Sequence, residues 1–136
     1  GNGGGASIAL LSVESGVTLI DSVLLAAAAG HGTSGVIGQP GQAGAFGGKG
    51  LHLEDFACDG GSGGDGGPGG SGSGAAGGIS VGVLHQGNAP VMHGTTVLPG
   101  SAGQAGRGGA PGVNDGPAGV STRILAATPD GVVAIQ

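Results

Sequence analysis

Residues 32–50 read GTSGVIGQPGQAGAFGGKG, with glycine at Gly32, Gly35, Gly38, Gly41, Gly44, Gly47 and Gly50. This unbroken phase of three decides what kind of fold the chain adopts. A polyproline II helix has 3 residues per turn and rises about 3.1 Å per residue, so glycine at every third position turns one face into bare backbone. A second backbone can then come close. The small, polar and apolar residues between the glycines, among them Val36, Ile37 and Phe46, point elsewhere.

Two further blocks follow the same rhythm. Residues 60–71 read GGSGGDGGPGGS, carry glycine at Gly60, Gly63, Gly66 and Gly69, and run on through Gly72 to Gly78. The third has Gly100, Gly103, Gly106, Gly109 and Gly112, slips by one residue at Val113-Asn114-Asp115, and resumes at Gly116 and Gly119. Each block is roughly 20 residues long. Collagen shares the period but needs Pro or hydroxyproline at about 15–20%, whereas the 7 prolines here are about 5% and apolar segments interrupt the blocks. A flexible Gly/Ser linker is the bland alternative, and a linker has no reason to hold strict phase at equal length.

Between the blocks lie β-branched, turn-bounded segments that predict seven short strands: Ser7 to Val13, Val17 to Leu25, Leu51 to Phe56, Ile79 to Leu84, Val91 to Leu98, Val120 to Ala126 and Val132 to Ile135. Glu14-Ser15-Gly16, His85 through Pro90, and Thr128-Pro129-Asp130-Gly131 carry the turn residues. Ala6 to Leu11 matches Ile79 to Leu84 at an offset of 73, and with one inserted residue Val17, Val23 and Leu24 match Val91, Val97 and Leu98 at 74. The repeating unit is therefore strand, turn, strand, glycine run, and stacking in the manner of a solenoid is its natural consequence. We expect one repeat domain over 1–136 with units 6–50, 51–78, 79–119 and 120–136, as a piece of a longer protein. The last unit is a truncated copy that caps the stack, with Arg123, Pro129 and Asp130 blunting an edge. Ala26 to Ala29 reads as the close-packed entry to the first block, with a helical turn as the alternative.

Composition narrows the function. The chain of 136 residues holds 38 glycines, two phenylalanines and no Trp or Tyr, with a net charge of −5. That balance argues against a nucleic-acid surface, which needs cations for phosphates and aromatics for bases. No apolar run reaches the 18 or more residues of a membrane span. A single cysteine, Cys58, forms no internal disulfide; it reads first as a small buried apolar side chain, with an interchain disulfide or a metal ligand as the functional alternatives.

Motifs with a chemical look fall short on inspection. Gly60 to Asp65 fits six positions of the calcium-binding nonapeptide, but Gly67 stands where a large apolar residue belongs and Gly74 where the next aspartate should be. Gly44 to Gly50 evokes a phosphate-binding loop and lacks both its first glycine, at Ala43, and the hydroxyl residue after Lys49. His31, His52, His85 and His93 with Cys58, Asp55 and Asp59 are zinc-type residues without zinc-type spacing. Glu14, Glu54 and Asp55 could pair as carboxylates, yet the aromatics and cations that line such grooves are missing. We expect no catalytic residue, no cofactor, no metal and no nucleic-acid partner.

Cys58-Asp59 with the glycine run into Ile79-Ser80-Val81-Gly82-Val83, and Gly109-Ala110-Pro111-Gly112-Val113-Asn114-Asp115-Gly116-Pro117-Ala118-Gly119, resemble the carboxy-terminal repeats of large glycine-rich secreted or surface-anchored proteins of myxobacteria and related bacteria. The resemblance covers most of the chain and implies no catalytic residues. More distantly, the blocks are similar to the polyglycine II bundles of springtail antifreeze proteins and phage tail-tip adhesins. The expected fold is all-β or irregular, β-solenoid-like or layered strands with bundled glycine-rich polyproline II helices. The expected role is an extracellular or cell-surface structural scaffold or fibre that self-associates. The alternative is an adhesin or receptor-binding tip for a glycan, a cell surface or ice, displaying Gln39, Gln42, Gln104 and Arg107 on one exposed face; Thr33, Thr95 and Thr96 are too few for the flat rows ice requires.

Overall fold

The computed structural model describes residues 1–50 and 58–135. Among them the secondary structure is all β, with no helix: β1 (Ser7–Val13), β2 (Thr18–Ile20), β3 (Val23–Leu25), β4 (Ser80–Gln86), β5 (Val91–His93), β6 (Thr96–Leu98), β7 (Ser121–Thr128) and β8 (Gly131–Ile135). The segment expected at Leu51 to Phe56 lies outside the described residues. Each expected segment at 17–25 and 91–98 is two strands, broken at Asp21-Ser22 and at Gly94-Thr95. Asp21 has φ 45° and Gly94 φ 57°, the left-handed conformation that turns the chain between the halves.

Parallel pairing dominates. The main sheet has the order β1-β4-β7-β8, and two-stranded sheets pair β2 with β5 and β3 with β6. Ser7 faces Ser80, Thr18 faces Val91 and Val23 faces Thr96, so all three ladders keep one offset of 73. The inserted residue expected from the sequence match is therefore absent. A slip of one residue turns a strand's side chains to the opposite face. The observed register sets half-buried Leu24 against buried Val97, whereas an offset of 74 would set it against exposed Leu98. Turns 14–17 and 87–90 are equal in length, and Glu14 (φ 47°) stacks over Gly87 (φ 81°), where a Cβ would meet the Glu14 carboxylate at 2.9 Å.

β4 is the central strand. Its near-continuous apolar reading suits a parallel strand covered on both faces, and Val81 and Val83 are fully buried. The buried apolar core is otherwise small: Val97, Leu125 and Ala29 complete it among the described residues. Gly82 makes room for it, because a Cβ there would run into Val97 Cγ1 and lie 2.8 Å from the Arg123 carbonyl oxygen. Ser7, Ser80 and Ser121 stand in register across three strands. Buried Ser80 donates its hydroxyl to the Ala27 carbonyl and accepts the Gly100 N–H, both at 2.8 Å, tying the sheet to the glycine blocks.

The last unit differs from the expectation of a third copy. β7 continues the parallel stack on β4, but Thr128-Pro129-Asp130-Gly131 closes a tight hairpin and β8 returns antiparallel. The Thr128 hydroxyl donates to the Gly131 carbonyl at 2.9 Å within that turn. Ala26 to Ala29 is extended rather than helical, with Ala26 and Ala29 N–H donated to the Leu98 and Ser101 carbonyls. No helix among the described residues is long and apolar enough to cross a membrane.

Candidate interaction surface

The glycine blocks are joined by main-chain hydrogen bonds at every third residue. In the second block Gly60, Gly63, Gly66, Gly69, Gly72, Ala75 and Gly78 donate N–H to the carbonyls of Gly48, Ala45, Gln42, Gln39, Val36, Thr33 and Gly30, at 2.8–3.0 Å. The paired numbers always sum to the same value, so the first and second blocks run antiparallel. Gly103, Gly106 and Gly109 of the third block donate in turn to Gly78, Ala75 and Gly72. Gly32 and Gly35 of the first block donate to Gln104 and Arg107, in the same sense as the strand ladders they extend. Residues 1–5 add another segment: Gly4 donates to Ala76, and Gly30 to Gly5.

Two kinds of glycine emerge. At Gly32, Gly35, Gly38, Gly41 and Gly44 an added Cβ would lie 2.5–2.8 Å from a carbonyl carbon of the second block and closer still to its oxygen. Gly47 meets Gly60 in the same way. Gly100, Gly103, Gly106 and Gly109 would drive a Cβ into the carbonyls of Ala27, Gly30, Thr33 and Val36. These positions exclude any side chain. At Gly60, Gly63, Gly66, Gly69 and Gly72 the nearest atom to a Cβ is 3.3–3.5 Å away, and Ala75 occupies the same row with a methyl group. From Gly60 to Gly72 the second block is bare where its neighbour does not require it, whereas at Gly74, Gly77 and Gly78 a Cβ would run into the carbonyls of Gly106, Gly103 and Gly5.

Gly112 stands apart from both rows. It has φ 69°, nothing lies within 4 Å of its Cβ direction, and with Asn114 (φ 57°) it reverses the chain. The phase slip at 113–115 is thus a hairpin: Gly116 and Gly119 return antiparallel to the third block and donate to Gly106 and Gly103.

Short polar side chains close donors that lack a neighbouring backbone. Beyond Ile37 the third block no longer flanks the first, and there the Gly38 N–H goes to Ser71 Oγ at 3.3 Å, Gly44 to Asp65 Oδ1 at 2.8 Å and Gly50 to Asp59 Oδ1 at 2.7 Å. Ser71, Asp65 and Asp59 are therefore caps on the facing glycines. His31 Nδ1 accepts the Gln104 N–H at 2.8 Å, Ser34 Oγ the Arg107 N–H at 3.2 Å, and Asp115 the Gly108 N–H at 2.6 Å. Repetition alone does not reveal these caps; the signal is that Ser62, Asp65, Pro68 and Ser71 keep the same phase of three.

The residues singled out for chemistry scatter. Asp65, from the calcium-like stretch, is engaged by Gly44. Cys58 is exposed, which corrects the buried reading: it lies at the end of the second block away from the sheets. His52, Glu54 and Asp55 lie outside the described residues. Among those described, no three His, Cys, Asp or Glu side chains gather as metal ligands would. His85 is buried at 5% exposure in β4, with no hydrogen-bond partner for either ring nitrogen among the described residues. Gln39, Gln42, Gln104 and Arg107 are all exposed.

No family model, curated protein or solved structure matches the chain.

Proposed function

We propose that this chain is an extracellular or cell-surface scaffold module, fibre-forming, in which strands stack solenoid-fashion and the glycine blocks run beside them as a bundle of polyproline II helices. The observation that carries this reading is the seven-membered donor row from Gly60 to Gly78, matched by glycines in the facing block that admit no side chain. Cohesion then comes from main chain at close quarters rather than from a large apolar interior, and such a module is rigid along its length. The reading assigns no catalytic group, cofactor, metal or nucleic-acid partner. Electron microscopy of the purified chain tests it: filaments are expected, and dispersed monomers at high concentration would refute it.

A second reading, a binding tip for a glycan or a cell surface, is favoured by one observation. Phe46 is 96% exposed and Val36 and Ile37 75% each, on the same block as Gln39 and Gln42. Soluble monomers that bind a glycan array would select this alternative.

A further inference from the structure

Around residues 72–78 the second block is enclosed: the first block takes its N–H groups, the third donates to its carbonyls, residues 1–5 donate to Ala76, and Asn114 and Pro117 accept from Gly74 and Gly77. Around residues 60–70 only the first block remains among the described residues. The chain of the third block leaves at the Gly112 turn, so the row of carbonyls that receives Gly103, Gly106 and Gly109 continues past Gly72 to Gly69, Gly66, Gly63 and Gly60 with no N–H donor among the described residues. The carbonyl row of the third block's slot thus runs on beyond its in-chain occupant, beside the Ser71, Asp65 and Asp59 side chains that take over the first-block donors.

The occupant of that slot is constrained by what already sits in it. It must run antiparallel to the second block and present N–H groups every three residues. It must also lack side chains there, because Gly103, Gly106 and Gly109 have no room for a Cβ against the first block. One segment of this chain meets all three demands and is unused. The N–H groups of Gly61, Gly64, Gly67 and Gly70 have no acceptor among the described residues, and nothing lies within 4 Å of a Cβ built on any of them. None has a positive φ, so the turn chemistry that explains Gly87 or Gly112 does not explain their bareness.

We propose that the hairpin of residues 38–48 and 60–70 is a docking edge for a second copy of this chain, with Gly61, Gly64, Gly67 and Gly70 of one copy donating to the carbonyls of Gly69, Gly66, Gly63 and Gly60 of the next. The inference rests on the scaffold reading above and supplies its contact. The C=O of residue 60 and the N–H of residue 61 belong to one planar trans peptide and point to opposite sides. Acceptor and donor rows therefore face away from each other, and the contact is head to tail rather than reciprocal. Such contacts add copies without closing and generate filaments unless the rotation happens to form a ring. Asp65, Asp59 and Ser71 cap donors of the first block, so side chains finish one edge while the second block's rows stay open.

The test is the assembly state of the whole chain carrying Gly64→Gln with Gly67→Gln, against the unaltered chain, by sedimentation velocity and electron microscopy. The space at both positions lets the monomer keep its fold, which an unchanged far-ultraviolet spectrum and melting temperature verify; Gly64→Ser with Gly67→Ser is the milder pair should glutamine impair folding. The expected result is assembly of the unaltered chain and at least a tenfold rise in the concentration needed for it in the variants. Assembly unaltered by either folded pair would overturn this contact and leave the scaffold reading standing. An unaltered chain that stays monomeric throughout would overturn both.

Discussion

Gly44 and Gly63 face each other across the same pair of blocks, yet alanine should act oppositely at the two. A methyl at Gly44 lies 2.5 Å from the Gly63 carbonyl carbon and 2.7 Å from the Gly64 oxygen, so the second block must retreat by roughly 1 Å to reach even the tightest distance real Cβ atoms show. That retreat breaks the bonds from Gly63 to Ala45 and from Gly66 to Gln42. At about 0.5–1.5 kcal/mol for each hydrogen bond and about 1–3 kcal/mol for overpacking, the loss is about 2–6 kcal/mol. A methyl at Gly63 meets the Ala45 nitrogen at 3.5 Å, ordinary contact, and Ala75 already holds that role four turns on. Fewer unfolded conformations then make Gly63→Ala neutral or stabilising by about 0.4–1 kcal/mol. Urea unfolding, read by circular dichroism and by exchange of the amides of residues 60–72, measures both. If the two variants differ by less than about 0.5 kcal/mol, the steric asymmetry between the blocks is wrong.

Three further outcomes follow from side chains at defined places. Asp65→Ala uncaps the Gly44 N–H, so that amide should exchange several-fold faster, with a stability loss of about 0.5–1 kcal/mol at this exposed site, while Asp65→Asn keeps an acceptor and most of the protection. Gly82→Ala crowds Val97 and the Arg123 carbonyl and should lower the melting temperature, by about 1–3 kcal/mol in stability; adding Val97→Ala makes room for the new methyl, and a double-mutant cycle should show the two changes to be less than additive. His85→Leu removes two buried ring nitrogens without partners and should stabilise the fold by about 1–2 kcal/mol in chemical denaturation, the reverse of the usual effect of a core substitution.

Much of this architecture is legible in the residues themselves. The phase of three from Gly32 to Gly47 marks positions that tolerate no side chain, because the bare face it predicts is the face on which the second block lies. Matching Ala6–Leu11 to Ile79–Leu84 finds the β1–β4 ladder. The match misleads where identity competes with burial: Val17 beside Val91 is a better residue match than Thr18, but pairing follows the turn length and the inward face. Gly60 and Gly63 look like Gly32 and Gly35 in the sequence and differ in space, since only the carbonyls of one block point at the α-carbons of the other. Which member of such a pair must be bare depends on the direction of the peptide planes, and composition carries no record of that. The slip at 113–115 hides a chain reversal, recognisable afterwards from Asn114 in the left-handed region beside Gly112. The turn at Thr128-Pro129-Asp130-Gly131 is legible between its two strands, but a truncated repeat gives no direction of pairing, and β8 folds back antiparallel on β7.

Amide hydrogen exchange, resolved residue by residue across the second glycine block under conditions that keep the chain monomeric, bears most directly on main-chain cohesion. Protection should recur at Gly60, Gly63, Gly66 and Gly69 and be weak at Gly61, Gly64, Gly67 and Gly70 between them. Uniformly fast exchange from 60 to 70 would mean that no backbone ladder exists there.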